Sequence, residues 1–123
     1  MKIAVTCIQL IRDIESYLPA LNEADFEVVL PEITGQHLEG AELVAALEGC
    51  VGVVAGDDQF TAEVLDQSPN LKAISKWGIG VDGIDKEAAT QRGIPVTNTP
   101  GAFDDEVADV TMAYCVLLLR QLH

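Results

Sequence analysis

Basic residues are scarce in this sequence: seven lysines and arginines stand against twenty aspartates and glutamates in 123 residues, a formal charge of −13. A field of that sign repels nucleic acid and anionic membrane surfaces, so neither is expected as a partner. Cysteine is nearly absent too. Cys7, Cys50 and Cys115 lie far apart and mostly within apolar stretches, giving neither a disulfide framework nor a zinc-ligand spacing. No Lys, Arg or His adjoins any of them to stabilise a thiolate, so all three read as small core residues, and no metal site is expected. No apolar run approaches the ~20 residues that span a bilayer. Residues 1–5 lead into a strand and not into a signal-peptide core. The expectation is a soluble protein of the cytoplasm with reduced thiols. Histidine occurs only at His37, in a polar loop beside Gly35, and at His123, the last residue. Neither has the carboxylate partner and substrate-proximal position of a general base, so no catalytic residue is expected in this chain.

What is present fits one folded domain. Hydrophobic residues make up 49% and charged residues 22%, a balance that supports a packed core and excludes disorder. Residues 3–7 read as a strand. A helix follows over 13–23, with Ile14, Tyr17, Leu18 and Leu21 on one face. Residues 26–30 form a second strand stopped by Pro31, and a helix runs over 41–48. The third strand is 51–55, after which Thr61 caps a helix that buries Val64 and Leu65. The fourth is 71–77. Asp85 caps a helix over 86–92, Gly93 ends it, and 94–98 is the fifth strand. Strands alternating with helices in this way imply right-handed crossovers. The expected fold is α/β: a flavodoxin-like five-stranded parallel sheet in the order 2-1-3-4-5 with helices on both faces.

Ligands of such sheets bind beyond the carboxyl ends of the strands, which selects the loops at 56–60, 78–83 and 99–103. The middle loop, Gly78-Ile79-Gly80-Val81-Asp82-Gly83, has the form G-x-G-x-x-G, yet it reads as a decoy. A dinucleotide fingerprint follows the first strand and has an acidic residue roughly 20 positions later. This loop follows the fourth strand, carries Asp82 inside the turn, and has no carboxylate near Asn98. Its glycines suit another task, letting the backbone N–H groups of Ile79 and Gly80 approach a small anion such as a carboxylate. Asp57 and Asp58 read as solvated turn carboxylates. Trp77 and Phe103 read as packing at the loop bases.

The stretch Asn70-Leu71-Lys72-Ala73-Ile74-Ser75-Lys76-Trp77-Gly78-Ile79-Gly80-Val81-Asp82-Gly83-Ile84-Asp85 resembles the D-isomer-specific 2-hydroxyacid dehydrogenases of the phosphoglycerate dehydrogenase type. The likeness continues through Ala88-Ala89, Arg92-Gly93-Ile94-Pro95-Val96-Thr97-Asn98-Thr99-Pro100-Gly101 and Val107-Ala108-Asp109, about half the chain in all. It implies that residues 1–103 are the substrate domain, that 104–123 form the helix crossing to a second domain, and that the NAD-binding Rossmann domain is absent here. It also implies that Ile79 and Gly80 hold the carboxylate of a small 2-hydroxyacid or 2-oxoacid. Ile79 and Val107 would touch the nicotinamide end of NAD. Lys76 stands where relatives often have Arg or Lys, and is either a further substrate contact or a strand-end lysine in solvent. Some relatives that recognise phosphorylated substrates place a basic residue where Asp57 and Asp58 stand, which puts phosphoglycerate in doubt as substrate.

The Arg, His and acidic residue that perform hydride transfer in the family lie further along its sequences. Two expectations follow: a truncated part of an NAD-dependent oxidoreductase, inactive by itself, or a naturally short binding or interaction module. Along the last helix, Val107, Val110, Tyr114, Leu117 and Leu118 form one apolar face, and Ala108, Met112, Cys115, Leu119 and Leu122 a second. One face can cover the chain's own sheet, and the other favours a homodimer or larger assembly.

Overall fold

In the computed structural model, which describes residues 1–122, apolar alternation along five short segments builds the sheet. These are β1 (Lys2–Val5), β2 (Glu27–Val29), β3 (Gly52–Ala55), β4 (Ala73–Lys76) and β5 (Val96–Thr97). All pairings are parallel, and the order is β2-β1-β3-β4-β5, as the sequence pattern leads one to expect. Ile3 lies beside Val28 and Gly52, Val53 beside Ile74, and Ile74 beside Val96, so residues of one parity share a face.

That parity sorts the core into two layers. Val53, Ala55 and Ile74 face α3 (Gly40–Ala46), α4 (Ala62–Asp66) and α5 (Lys86–Gln91), and bury Leu43, Phe60, Leu65 and Ala89 with them. Phe60 and Leu43 are fully enclosed, and each such burial contributes ~1.5–3 kcal/mol. On the opposite face Val5 packs with Cys7, Leu10 and Ile14 of α1 (Ile8–Arg12) and α2 (Ile14–Glu23). Cover there is thinner, and Ala73 and Ser75 of β4 remain exposed.

Local chemistry fixes the helix ends where the residue types say it should. The Val64 N–H donates to Thr61 Oγ1 at 3.3 Å, and the Ala88 N–H to Asp85 Oδ1 at 2.9 Å. Gly93 takes a φ of 69°, and Ile94 N–H reaches back to the Ala89 carbonyl at 2.9 Å, closing α5 in the left-handed cap that glycine permits.

Three features differ from the sequence reading. A separate helix, α1, precedes the expected one and breaks from it at Asp13; its single turn is too short to give a periodic signal. The fifth strand shrinks to two residues, because Pro95 has no N–H to give the ladder and only its carbonyl accepts, from Ile74 N–H at 3.0 Å. The largest correction concerns α6 (Asp104–Leu119), which buries none of its residues against the sheet. A helix apolar on nearly every side has no single stripe to match a sheet face. Val107, Met112, Tyr114 and Leu119 are all exposed. Cys115 is therefore exposed and is not a core residue, whereas Cys7 and Cys50 are buried as expected. Among the described residues, no helix is long and apolar enough to cross a membrane.

Candidate functional site

The carboxyl ends of β3 and β4 meet in a cleft of about 170 Å³, walled by Gly56, Asp57, Asp58, Lys76, Gly80 and Asp82 among others. That is close to the ~150 Å³ that encloses a benzene-sized molecule. Larger hollows, of about 190, 320, 370 and 410 Å³, lie away from these strand ends.

Asp58 holds the cleft's floor. It is 1% exposed, which corrects its reading as a solvated carboxylate. Its Oδ1 accepts from Leu38 N–H at 2.8 Å, and its Oδ2 from Gly56 N–H at 3.1 Å and from the Thr6 hydroxyl. Three separate segments are thus tied to one carboxylate: the end of β1, the loop before α3 and the loop after β3. A buried charge is tolerable only when its lone pairs are met in this way.

Asp57, one residue earlier, faces outward, with its side chain 80% exposed. Its Oδ1 accepts from Lys76 Nζ at 2.7 Å. Lys76 is only 8% exposed, so it is not a strand-end lysine in solvent; the loop after β3 closes over it and supplies its counter-ion.

The loop after β4 turns on Gly78, whose φ of 138° suits glycine alone. It is braced from β5: the Asn98 side-chain amide donates to the Ile79 carbonyl at 2.7 Å, and Thr99 N–H to the Gly78 carbonyl at 3.0 Å. Among the described residues, the N–H groups of Ile79 and Gly80 donate to no protein acceptor. The far end of the loop is locked to its neighbour, for Phe60 N–H donates to the Gly83 carbonyl at 2.8 Å and Asp85 N–H to the Phe60 carbonyl at 3.0 Å. A Cβ at Gly83 would stand 2.6 Å from the Asp58 carbonyl oxygen, so glycine is required there for close approach. A Cβ at Gly80 would meet only Asp82 Oδ2, at 3.8 Å.

The same loop fails as a dinucleotide cradle. A pyrophosphate needs a glycine turn that opens directly on a helix N-terminus. Here the Asp85 carboxylate already caps α5, and Gly83 is spent on the Asp58 backbone.

Of the residues singled out from sequence, Lys76 and Gly80 share the cleft wall, and Ile79 stands next to it, partly exposed. Val107 is exposed on α6 and is not brought into the cleft. Trp77 and Phe103 are 41% and 53% exposed, so neither packs at a loop base; Trp77 lies edge-on to Tyr17 at 5.6 Å on the surface. His37 is exposed as expected, but a carboxylate does stand near it, Glu39 Oε2 at 3.8 Å from Nε2, a solvent-exposed pair of small energetic weight. His123 lies outside the described residues. Burial pushes the Cys50 thiol up from its ordinary pKa; Lys2 opposes the shift and Glu27 adds to it. Thr6 and Leu38 have structural parts in this site that no sequence motif marks, and Asn98, which lies in the family-like stretch, braces the loop through the Ile79 carbonyl.

This geometry has known counterparts. The catalytic-domain model of the D-isomer-specific 2-hydroxyacid dehydrogenases matches residues 7–114, and the chain belongs to that family. It is 39% identical over 92 residues to a hydroxypyruvate reductase of Thermotoga maritima, covering 74% of this chain and 30% of that protein. It is 36% identical over 94 residues to the Homo sapiens D-3-phosphoglycerate dehydrogenase, covering 76% of this chain and 18% of that protein. The TT0316 protein of Thermus thermophilus superposes with a TM-score of 0.78 at 34% identity, over 99% of this chain and 38% of that one. The NAD+-bound 3-phosphoglycerate dehydrogenase of Entamoeba histolytica does so with a TM-score of 0.74 at 27% identity, over 95% of this chain and 38% of that one. The chain thus spans less than a third of the length of these two curated relatives.

Proposed function

We propose that this chain is the substrate-binding portion of an NAD-dependent D-2-hydroxyacid dehydrogenase of the phosphoglycerate dehydrogenase type, acting on a small 2-hydroxyacid or 2-oxoacid. The observation that carries the reading is the pair of unpartnered N–H groups at Ile79 and Gly80, beside Lys76 at the carboxyl ends of the strands. Two amides at adjacent positions can hold both oxygens of a carboxylate and so fix the carbon next to it. NAD, when bound, exchanges hydride with that carbon. Ile79 and Val107 are exposed apolar residues suited to border its nicotinamide end. Among the described residues its pyrophosphate has no cradle and no paired His and carboxylate borders the cleft, so we assign both tasks to a further domain. Exposed α6 is the segment proposed to join that domain and to mediate self-association, as a homodimer or larger.

The expected outcome for the chain by itself is no oxidation of 2-hydroxyacids and no micromolar affinity for NAD. A 2-oxoacid added at millimolar concentration should shift the backbone amide resonances of Ile79 and Gly80. Calorimetry with NAD, a reduced-cofactor absorbance assay and NMR titration check these points. Turnover, tight NAD binding, or oxoacid shifts confined to other loops would contradict the assignment.

A further inference from the structure

We infer that Asp57 sets the substrate class of this cleft: it admits a short acid with one anionic group and an uncharged far end, and disfavours acids bearing a second anion such as a phosphate ester. The inference rests on the reading of the cleft as a 2-hydroxyacid site. Four observations carry it. Among the described residues, Lys76 is the only cation lining the cleft, beside Asp57, Asp58 and Asp82. Its Nζ is already matched to Asp57 at 2.7 Å, and its side chain is 9% exposed, so its charge is taken up by that pair and is not held free for a ligand. Asp58 is fully enclosed, and its oxygens are taken up by three protein donors. The cleft measures about 170 Å³, room for a few heavy atoms.

A single carboxylate does not need Lys76, because the uncharged amides of Ile79 and Gly80 receive it. A second anion at the ligand's far end would find Lys76 already neutralised by Asp57 and would face the Asp82 carboxylate with no free cation among the described lining residues to offset it. The Asp57 side chain is 80% exposed, so solvent weakens the interaction, yet a like charge left without a counter-ion at contact distance still acts as a repulsive element against the wrong acid.

The test is an NMR titration of the 15N-labelled chain with glyoxylate and with 3-phosphoglycerate, following the Ile79 and Gly80 amides. In the parent chain 3-phosphoglycerate should bind ~10-fold or more weaker than glyoxylate, a difference that one uncompensated charge contact supplies. Asp57→Asn frees Lys76 and should tighten 3-phosphoglycerate ~10-fold while changing glyoxylate by less than ~3-fold. Adding Lys76→Met to Asp57→Asn should abolish that gain. Glu15→Gln, which removes an equal charge from α2, should leave both affinities unchanged. If 3-phosphoglycerate binds equally well to the parent and to Asp57→Asn while glyoxylate still shifts these amides, the role of Asp57 is overturned and the cleft assignment stands. If neither acid shifts the amides in any variant, both fall.

Discussion

Replacing Asp58 with alanine removes the one acceptor on which three segments converge. Leu38 N–H, at 2.8 Å from the carboxylate, would be left without a partner in the interior, and Gly56 N–H, at 3.1 Å from it, would keep only a long contact to Thr6 Oγ1 at 3.4 Å. Each stranded donor costs ~1–3 kcal/mol, while the Thr6 hydroxyl can turn to the Val54 carbonyl, 3.5 Å away, and recover part of its loss. Removing the carboxylate also relieves the expense of keeping a charge out of water. The balance is a destabilisation of ~2–4 kcal/mol, a large share of the ~5–15 kcal/mol that holds a domain folded. Asp58→Asn should cost less, ~1–2 kcal/mol, since its carbonyl still serves Leu38 and only Gly56 N–H then faces a donor. Urea denaturation reads the difference as a lowered midpoint at constant slope. Amide exchange should show the Leu38 and Gly56 protons losing protection first. An Asp58→Ala chain within ~0.5 kcal/mol of the parent would refute the reasoning, because changes of that size are what featureless surface positions give.

Gly83→Ala should destabilise by ~1–3 kcal/mol, as overpacking does, because its Cβ would press on the Asp58 backbone at 2.6 Å; Gly80→Ala, with nothing closer than 3.8 Å, should fold like the parent in the same urea assay. A thiol reagent should label Cys7 and Cys50 only on unfolding, and Cys115 rapidly wherever α6 is not held in the proposed assembly, as mass spectrometry of timed samples of the parent and of Leu119→Glu with Leu122→Glu would report. Because the Cys50 thiol is raised in the folded chain, its contribution to stability is complete below the ordinary thiol range and should be lost as pH rises through the raised value. Leu119→Glu with Leu122→Glu should convert any assembly to monomer in light scattering, since these are among the most exposed apolar side chains of the C-terminal segment.

The fold was legible because its signals are local and repeated. Thr61 and Asp85 are caps by residue type, Gly93 is a stop, and the apolar runs are of strand length, so element order alone left few topologies open. Boundaries suffered where one residue interrupts the backbone pairing, as Pro95 does, or where a helix of one turn leaves no period, as with α1. The packing of α6 was misread for a different reason. Periodicity reports which residues are apolar, but not what covers them, and an all-round apolar helix is equally compatible with burial on its own sheet and with a surface that awaits another partner.

Asp57 and Asp58 show where legibility of the site ends. They are the same residue type in the same turn, and nothing in composition or spacing separates them, yet one side chain is 80% exposed and the other residue 1%. What separates them is nonlocal. The backbone after β3 points one carboxylate inward, where Leu38 lies 20 residues earlier in the chain and Thr6 52 residues earlier, and the other toward Lys76, 19 residues later. Thr6 and Lys76 sit where they do because of the parallel register of β1, β3 and β4, whereas Leu38 is brought in by the loop before α3. That the N–H groups of Ile79 and Gly80 receive a ligand's carboxylate is the proposal; that they stay open was legible, because the openness of a glycine-rich turn at a strand's carboxyl end follows from backbone alone. The carboxylates were not, because a side chain's role is set by which donors the completed sheet delivers to it. The charge of the cleft therefore emerges only after the strands are placed: Lys76 reads as a free cation in the sequence and is a neutralised one in the fold.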